Sequence, residues 1–249
     1  MQASELFNQP NTILLDGGMG TMLQAAGMKL GTRPEDLNIE NPELIRSIHA
    51  KYAAAGSRVV NANTFGASPH KLADSKYTLE EVITAGIANC KQAVAPYGAL
   101  VTLDVGPLGE LLEPSGTLAF EDAVAEYGRI VRAGVAAGAD ILYFETFTDL
   151  YEMKAALLAA KENSTLPIMA SMSFEANGRT FTGCTVESFA ATARGLGANA
   201  VGINCSLGPK EIFPMAKRLA EAVPGDFPVF VKPNAGLPRA DGSGYDITP

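Results

Sequence analysis

Short apolar runs alternate along the 249-residue chain with longer segments whose apolar residues recur at helical spacing. Several of the short runs, such as "ILYF" at 141–144, are apolar at successive positions rather than at every second position. Successive apolar positions are typical of strands that are covered on both faces in a parallel sheet. The pattern predicts seven strands, at residues 12–16, 57–65, 99–106, 140–146, 167–174, 200–205 and 228–234.

Helices are predicted between these strands. Three pairs of residues are typical of helix starts, namely Asn41 with Pro42, Thr78 with Glu81, and Asp149 with Glu152. The first pair gives an N-cap followed by a proline at the first helical position, and the other two have the spacing of a capping box. Further helices are predicted at 119–137, 186–197 and 210–222, where Pro214 is expected to delay or kink the start of the last one.

Repeated βα units predict an α/β fold, either an eight-fold barrel or a doubly wound open sheet. The glycine-rich loop after the first strand lacks the G-x-G-x-x-G pattern, and polar residues follow nearly every strand rather than one switch point. Both features favour the barrel. Because only seven strands are predicted, the expected fold is a (β/α)8 TIM barrel that lacks its eighth strand and helix.

Composition and charge narrow the functional class. The chain is 47% hydrophobic and 18% charged, without the long uncharged apolar run that a membrane span needs and without a signal-peptide pattern. We therefore expect a cytoplasmic protein with no membrane partner. A formal net charge of −8, with no cluster of lysine or arginine, also argues against a nucleic-acid partner.

The stretch "LLDGGMGT" at 14–21 follows the first predicted strand with an acid and bare glycines. In a βα barrel the reacting groups lie at the carboxyl ends of the strands, where Asp16 and Glu145 are both expected. Two carboxylates beside the backbone N–H groups of Gly17 and Gly18 could bind the ammonium and carboxylate of an amino acid. The alternative for the glycine motif alone is a tight turn with an exposed aspartate.

Three cysteines are too few and too scattered for a disulfide framework. Cys205 ends the strand "GINC" and could be a metal ligand, a nucleophile or a small buried side chain. Cys90 lies in a helical pattern and is expected to serve packing, and we assign no function to Cys184.

The remaining candidates give weaker alternatives. His49 is expected on the surface of the helix at 42–55 and His70 in a loop, so neither makes a convincing partner for a nucleophilic cysteine. Lys232 ends the seventh predicted strand, where a lysine could form a Schiff base in a lyase or aldolase.

Several separated blocks carry a family resemblance: "LLDGGMGTMLQ", "NPELIRSIHAKYAAAGSRVVNANTFGAS", "FETFTDLYEMKAALLAAK", "GINCSLGP" and "VKPNAGLP". Together, from about residue 11 to residue 238, they resemble the homocysteine S-methyltransferases, in particular the N-terminal homocysteine-binding modules of cobalamin-dependent methionine synthases. The resemblance implies a barrel that holds Zn²⁺ on three cysteines, with the sulfur of homocysteine in the fourth position. A bound Zn²⁺ lowers the pKa of a thiol, so a nucleophilic thiolate exists at neutral pH.

The resemblance also assigns roles to residues. It makes Cys205 a zinc ligand and catalytic residue, with Asn234 as a further amide near the metal. Glu145 becomes the acid that holds the substrate ammonium. The remaining substrate-binding positions are Asp16, Gly17, Gly18, Thr64 and Asn204.

One departure from the family pattern changes this expectation. The paired zinc cysteines of a "GGCC" motif are absent from the sequence, so residues 1–249 are expected to be one homocysteine-binding methyltransferase barrel that is truncated at its C-terminus. The expected reaction gives methionine, with methylcobalamin as donor on cobalamin- and folate-binding modules of a longer chain or of separate subunits. S-methylmethionine and betaine remain alternative donors. The alternative function is a metal-free amino-acid-binding or scaffold barrel.

Overall fold

Six strands form one parallel sheet in which each strand pairs with the next one along the chain. The computed structural model describes residues 3–9, 11–29 and 31–234. The strands are β1 (Val59–Asn61), β2 (Leu100–Val105), β3 (Ile141–Phe147), β4 (Ile168–Met172), β5 (Ala200–Asn204) and β6 (Val229–Lys232). In a doubly wound sheet the strand order reverses at a switch point, and no reversal occurs among these six. The fold is therefore a partial (β/α)8 barrel, as the sequence predicts.

The first predicted strand lies beside β1 without forming a regular ladder. Leu15 makes a single parallel bridge with Val59, and the N–H of Asp16 donates to the Val59 carbonyl at 3.1 Å. The next ladder position is taken by a side chain, because the Asp16 carboxylate accepts from the N–H of Asn61 at 2.7 Å. This side-chain hydrogen bond takes the place of the next backbone hydrogen bond. Backbone pairing therefore ends there, and Asp16 is fixed at the carboxyl end of the sheet.

The six predicted helices are present as the last six of the nine α-helices in the described residues, and the first three were not predicted. In chain order the nine are α1 (Ala3–Leu6), α2 (Met19–Ala25), α3 (Leu37–Glu40), α4 (Pro42–Ala54), α5 (Leu79–Val94), α6 (Phe120–Ala136), α7 (Leu150–Asn163), α8 (Val186–Gly195) and α9 (Pro209–Glu221). Asn41 caps α4 by accepting from the N–H of Leu44, and Thr78 with Glu81 forms the predicted capping box of α5.

Two predictions about helix starts are wrong. Asp149 does cap α7, but Glu152 does not complete a capping box, because its carboxylate accepts hydrogen bonds from the N–H of Leu108 and the hydroxyl of Tyr127. Helix α9 begins at Pro209, so Pro214 lies inside it and does not delay its start.

Both faces of the sheet are apolar, which explains the continuous apolar runs in the sequence. The main core lies between the sheet and its helices, and a smaller cluster lies on the inner face of the sheet. That inner cluster contains Val59, Leu100, Ile141, Tyr143, Met169 and Ala200. In the described part of the chain, no helix is both long enough and apolar enough to cross a membrane.

The predicted surface position of His49 is wrong. Helix α4 packs against α5 and α3, and its Ile45 and Ile48 also pack against Leu23 of α2. These contacts leave the exposed residues of α4, such as Glu43 and Lys51, on its remaining side. His49 is accordingly 0% exposed.

Candidate functional site

A cavity of about 1070 Å³ opens between residues 11–18 at one edge of the sheet and β6 at the other. Its lining includes most of the residues predicted to form the site, namely Asp16, Gly17, Gly18, Glu145, Asn204, Cys205 and Asn234. Asp104 and Lys232 also line it. The carboxyl ends of the strands thus bring acids, amides, one thiol and one amine to a single cavity, which we call the central cavity.

Lys232 lies between the two predicted ammonium-binding acids. Its Nζ is 3.1 Å from Asp16 Oδ1, 3.7 Å from Glu145 Oε2 and 5.4 Å from the centroid of the Tyr143 ring. Burial by itself would lower the pKa of Lys232, but the charges of Asp16 and Glu145 raise it above its ordinary value. Lys232 is therefore a protonated ammonium, a state that disfavours the Schiff-base alternative because that chemistry needs a neutral amine.

Asp16 is a buried member of this cluster rather than an exposed turn residue. Its side chain is 5% exposed, and its two oxygens accept hydrogen bonds from Asn61 and Lys232. Burial raises its pKa, while Lys232 and the hydrogen bond from Asn61 act in the opposite direction. The alternative of a simple tight turn with an exposed aspartate is therefore wrong.

The glycines after Asp16 have a packing role as well as a place on the cavity wall. A Cβ on Gly17 would lie 2.9 Å from ring atoms of Tyr52, closer than real Cβ contacts. The Tyr52 hydroxyl donates to the Gly18 carbonyl at 3.0 Å. A side chain at position 17 would therefore require the Tyr52 ring to move, and the role of Gly17 toward a ligand stays a prediction.

Asp104 lines the central cavity with a buried carboxyl that has no hydrogen bond and no ion pair in the described structure. The residue is 6% exposed, and its Oδ1 is buried without a partner. Thr64 fixes its backbone, since the Thr64 hydroxyl donates to the Asp104 carbonyl at 2.8 Å and accepts from its N–H at 3.1 Å. Burial, followed by the charge of Glu145, holds the pKa of Asp104 well above its usual range.

Thr64 itself is buried and is not part of the cavity lining. Its predicted substrate contact stays a prediction, and the structure gives it a positioning role toward Asp104.

Asn204 orients the loops that follow β3 and β5. Its Oδ1 accepts from the Thr146 N–H at 3.0 Å and from Ser171 Oγ at 2.8 Å. Its Nδ2 donates to Thr146 Oγ1 at 2.7 Å and to Cys205 Sγ at 3.3 Å. Both ends of this buried amide are therefore engaged with the protein, and a direct contact with substrate stays a prediction.

The backbone around Cys205 has an unusual conformation. Thr146, Cys205 and Ser206 have φ values of 66°, 59° and 62°, in the left-handed region that non-glycine residues rarely adopt. Such strain persists where the surrounding contacts hold it, and it clusters at functional sites. The Cys205 thiol lines the central cavity together with Asp16 and Glu145, and burial raises its pKa, so without a cation it is a neutral thiol.

The described residues do not by themselves make a zinc site. Cys90 is buried with its Sγ 3.8 Å from the Val60 carbonyl, and Cys184 donates to the Thr185 carbonyl. Neither lines the central cavity. Among the described residues there is no group of three or more histidine, cysteine or acidic side chains placed to bind a metal. A tight zinc site needs three or four such ligands, and here Cys205 has only the Asn234 amide as a candidate companion.

Comparisons with known proteins agree on one family. Residues 13–249 match the sequence model described as homocysteine S-methyltransferase. Methionine synthase of Mycobacterium tuberculosis is 30% identical over 254 residues, which cover 94% of this chain and 21% of that protein. The chain therefore spans about a fifth of the length of that relative.

Solved structures extend the likeness to the fold. The metallated form of the homocysteine methyltransferase MmuM from Escherichia coli superposes with a TM-score of 0.83 at 25% identity, over 93% of this chain and 86% of that chain. The carboxyl transferase domain of Rhizobium etli pyruvate carboxylase superposes with a TM-score of 0.53 at 17% identity, over 92% and 36% of the two chains. The second likeness concerns the fold alone.

Proposed function

The chain belongs to the homocysteine S-methyltransferase family, and we propose that it binds homocysteine in the central cavity, where the substrate thiol accepts a methyl group to give methionine. The observation that carries this proposal is the position of Cys205, whose thiol shares the cavity with Asp16 and Glu145. Two acids and a thiol that line the same cavity suit a substrate that carries both an ammonium group and a thiol on one short chain.

In this proposal the described residues bind and orient the amino acid. Glu145 supplies an acceptor for its ammonium group, and the backbone near Gly18 supplies N–H donors for its carboxylate. Asn204 holds Cys205 and Thr146 in their strained conformations and so fixes the thiol end of the cavity. When bound, Zn²⁺ would supply a lowered pKa for the substrate thiol.

We infer that Cys205 is the one zinc-binding thiol of this chain and that further thiolate ligands come from residues this sequence does not contain. Cys90 and Cys184 are engaged elsewhere, as their hydrogen bonds indicate. The assignment of residues 1–249 to one homocysteine-binding methyltransferase barrel stays a prediction. Methylcobalamin on cobalamin- and folate-binding modules is the proposed donor, supported by the likeness to a methionine synthase of about five times this length. The cytoplasmic location also stays a prediction.

Calorimetric titration with L-homocysteine tests the binding part of this function. We expect the wild-type chain to bind, and Glu145→Gln to weaken binding about tenfold by removing a charge-assisted contact. The matched control is Glu175→Gln, which removes an exposed acid that also follows a strand but does not line the central cavity. Absence of binding by the wild-type chain, or equal affinities for all three proteins, would contradict the proposal.

The second candidate function is a metal-free amino-acid-binding or scaffold barrel, which is favoured by the single thiol in the described cavity lining. Elemental analysis of the purified chain can exclude this metal-free alternative. Zinc at about one equivalent per chain would exclude the metal-free alternative. Homocysteine binding without zinc would agree with it, or with a unit completed by other residues.

A further inference from the structure

Some acids of the central cavity are paired with a cation of the protein, whereas the buried carboxyl of Asp104 is not. Asp16 and Glu145 already share the ammonium of Lys232, which lies over the Tyr143 ring. Two carboxylates and an aromatic face make a complete environment for one primary ammonium. The protein's own lysine therefore fills the place between these two acids, and a second ammonium there would be repelled by the first.

Asp104 has no such partner. Its carboxyl lies at the carboxyl end of β2 and lines the same cavity, yet no ion pair or side-chain hydrogen bond reaches it within the described structure. A buried polar group without a partner is costly and needs an explanation, and an absent ligand is one. The Thr64 hydroxyl bonds to both the N–H and the carbonyl of Asp104, which fixes the main chain of Asp104 beside the cavity.

We propose that Asp104 is the residue that receives the ammonium group of the amino-acid substrate, together with the side of Glu145 that Lys232 leaves free. This inference rests on the proposed function, because it concerns the ammonium end of the same ligand. It changes the assignment from the family resemblance, in which Asp16 lies at the amino-acid end, and makes Asp16 the counterion of Lys232.

The surroundings of Asp104 determine how its charge changes. Four charged groups affect the pKa of the Asp104 carboxyl. They are Glu145 from β3, Lys232 from β6, Asp16 from the residues beside β1, and Glu35 from the turn before α3. Three of these four are acids, so the empty cavity favours the protonated carboxyl. When a ligand ammonium arrives, the O–H bond of Asp104 breaks, its proton leaves to solvent, and the carboxylate pairs with the ammonium, which keeps all its protons.

Titration calorimetry in two buffers of different ionisation enthalpy measures the protons released on binding. Suitable ligands are L-homocysteine and L-methionine, which share the ammonium group, and 4-mercaptobutanoic acid, which lacks it. For the wild-type chain near pH 7 we expect both amino acids to release protons on binding, because the carboxyl of Asp104 ionises when the ammonium arrives. Methionine has no thiol, so its proton release cannot come from sulfur.

The variant Asp104→Asn should lose the proton release and bind both amino acids at least about tenfold more weakly, with unchanged affinity for 4-mercaptobutanoic acid. It should also melt no lower than the wild-type protein, because it removes a buried acid without a partner. The matched control is Asp140→Asn, at the opposite end of the same strands, where the carboxylate pairs with Lys91 at 2.9 Å. This control should bind and release protons like the wild type.

The outcomes separate the two proposals. If the wild-type chain binds the amino acids and Asp104→Asn binds them equally well with the same proton release, the role of Asp104 is wrong and the proposed function stands. If the wild-type chain binds none of the ligands, both proposals fail. If Asp104→Asn binds weakly but melts far below the wild type and Asp140→Asn, Asp104 is structural and the inference is overturned.

Discussion

A buried histidine without hydrogen-bond partners should make the stability of this protein depend on pH. His49 is 0% exposed, and neither of its ring nitrogens has a hydrogen-bond partner in the described structure. Burial lowers the pKa of His49 from 6.5 to about 4, because the charged imidazolium would lose its hydration. His49 is therefore neutral in the folded protein. It takes up a proton there only at a pH well below the value at which the unfolded chain takes one up.

The sign and size of the effect follow from this difference. Above pH 6.5 the histidine is neutral in both states and contributes no pH dependence. As the pH falls from 6.5 to about 4, the unfolded chain binds a proton that the folded chain does not, so stability is lost. A difference of about 2.5 pH units corresponds to a loss of about 3 kcal/mol between pH 7.5 and pH 4.

The variant His49→Leu isolates this contribution, because leucine has a similar volume and cannot titrate. Urea denaturation of both proteins between pH 4 and pH 7.5 should show curves of unfolding free energy that diverge by about 3 kcal/mol toward low pH, with the variant more stable. His70→Gln is the matched control, since His70 is exposed and its pair with Glu110 is a surface contact at 3.5 Å. Parallel pH profiles for the wild type and His49→Leu would refute the reasoning.

Two further predictions concern the central cavity. Lys232→Met should lower the unfolding free energy by about 3–5 kcal/mol in urea denaturation, because it leaves Asp16 and Glu145 buried without their cation. Adding Asp16→Asn should recover part of this loss, and an additive double variant would contradict the ion pair. Asn204→Ala should cost about 3 kcal/mol in the same assay by leaving the partners of its amide unsatisfied. Asn199→Ala, which removes one bond to the N–H of Ile168 at an exposed position, should cost clearly less, and equal losses would argue against the network.

Apolar runs and helix caps predict most of the fold, because they determine the local conformation of the backbone. Apolar runs locate all six strands within a few residues, and the caps at Asn41 and Thr78 fix the starts of α4 and α5. The first predicted strand fails to become a regular strand for a reason that spacing cannot reveal. The Asp16 side chain, rather than a backbone carbonyl, accepts the next hydrogen bond from β1.

Local patterns mislead where a side chain contacts a distant part of the chain. Glu152 has the spacing of a capping residue, but it bonds to Leu108, which lies 44 positions away. His49 is polar within an amphipathic helix, and its burial depends on neighbouring helices that cover α4 from a second side. Neither partner is visible in the local pattern.

For the candidate site, too, the sequence predicts which residues come together but not which of them pair. Its members could be collected from strand ends because a barrel brings those ends together, and the central cavity contains seven of the eight predicted residues. Their pairing could not be predicted, since Lys232 and Asp16 are 216 positions apart and meet only through the curvature of the sheet. The unpartnered state of Asp104 is equally invisible, because the sequence gives every acid the same formal charge.

The Asp16–Lys232 ion pair links ligand binding to the architecture of the sheet. Asp16 lies beside β1 at one edge, Lys232 ends β6 at the other, and in the described structure β6 pairs only with β5. Two side chains therefore connect edges that no backbone ladder joins. Because the same lysine also neutralises Glu145, a change in charge at the ligand site alters the force that holds the two edges together. A ligand ammonium that bound between Asp16 and Glu145 would have to displace Lys232 and release this link, whereas one that bound at Asp104 would leave it in place. A ligand ammonium at Asp104 can therefore bind while the Asp16–Lys232 ion pair still connects the two edges of the curved sheet.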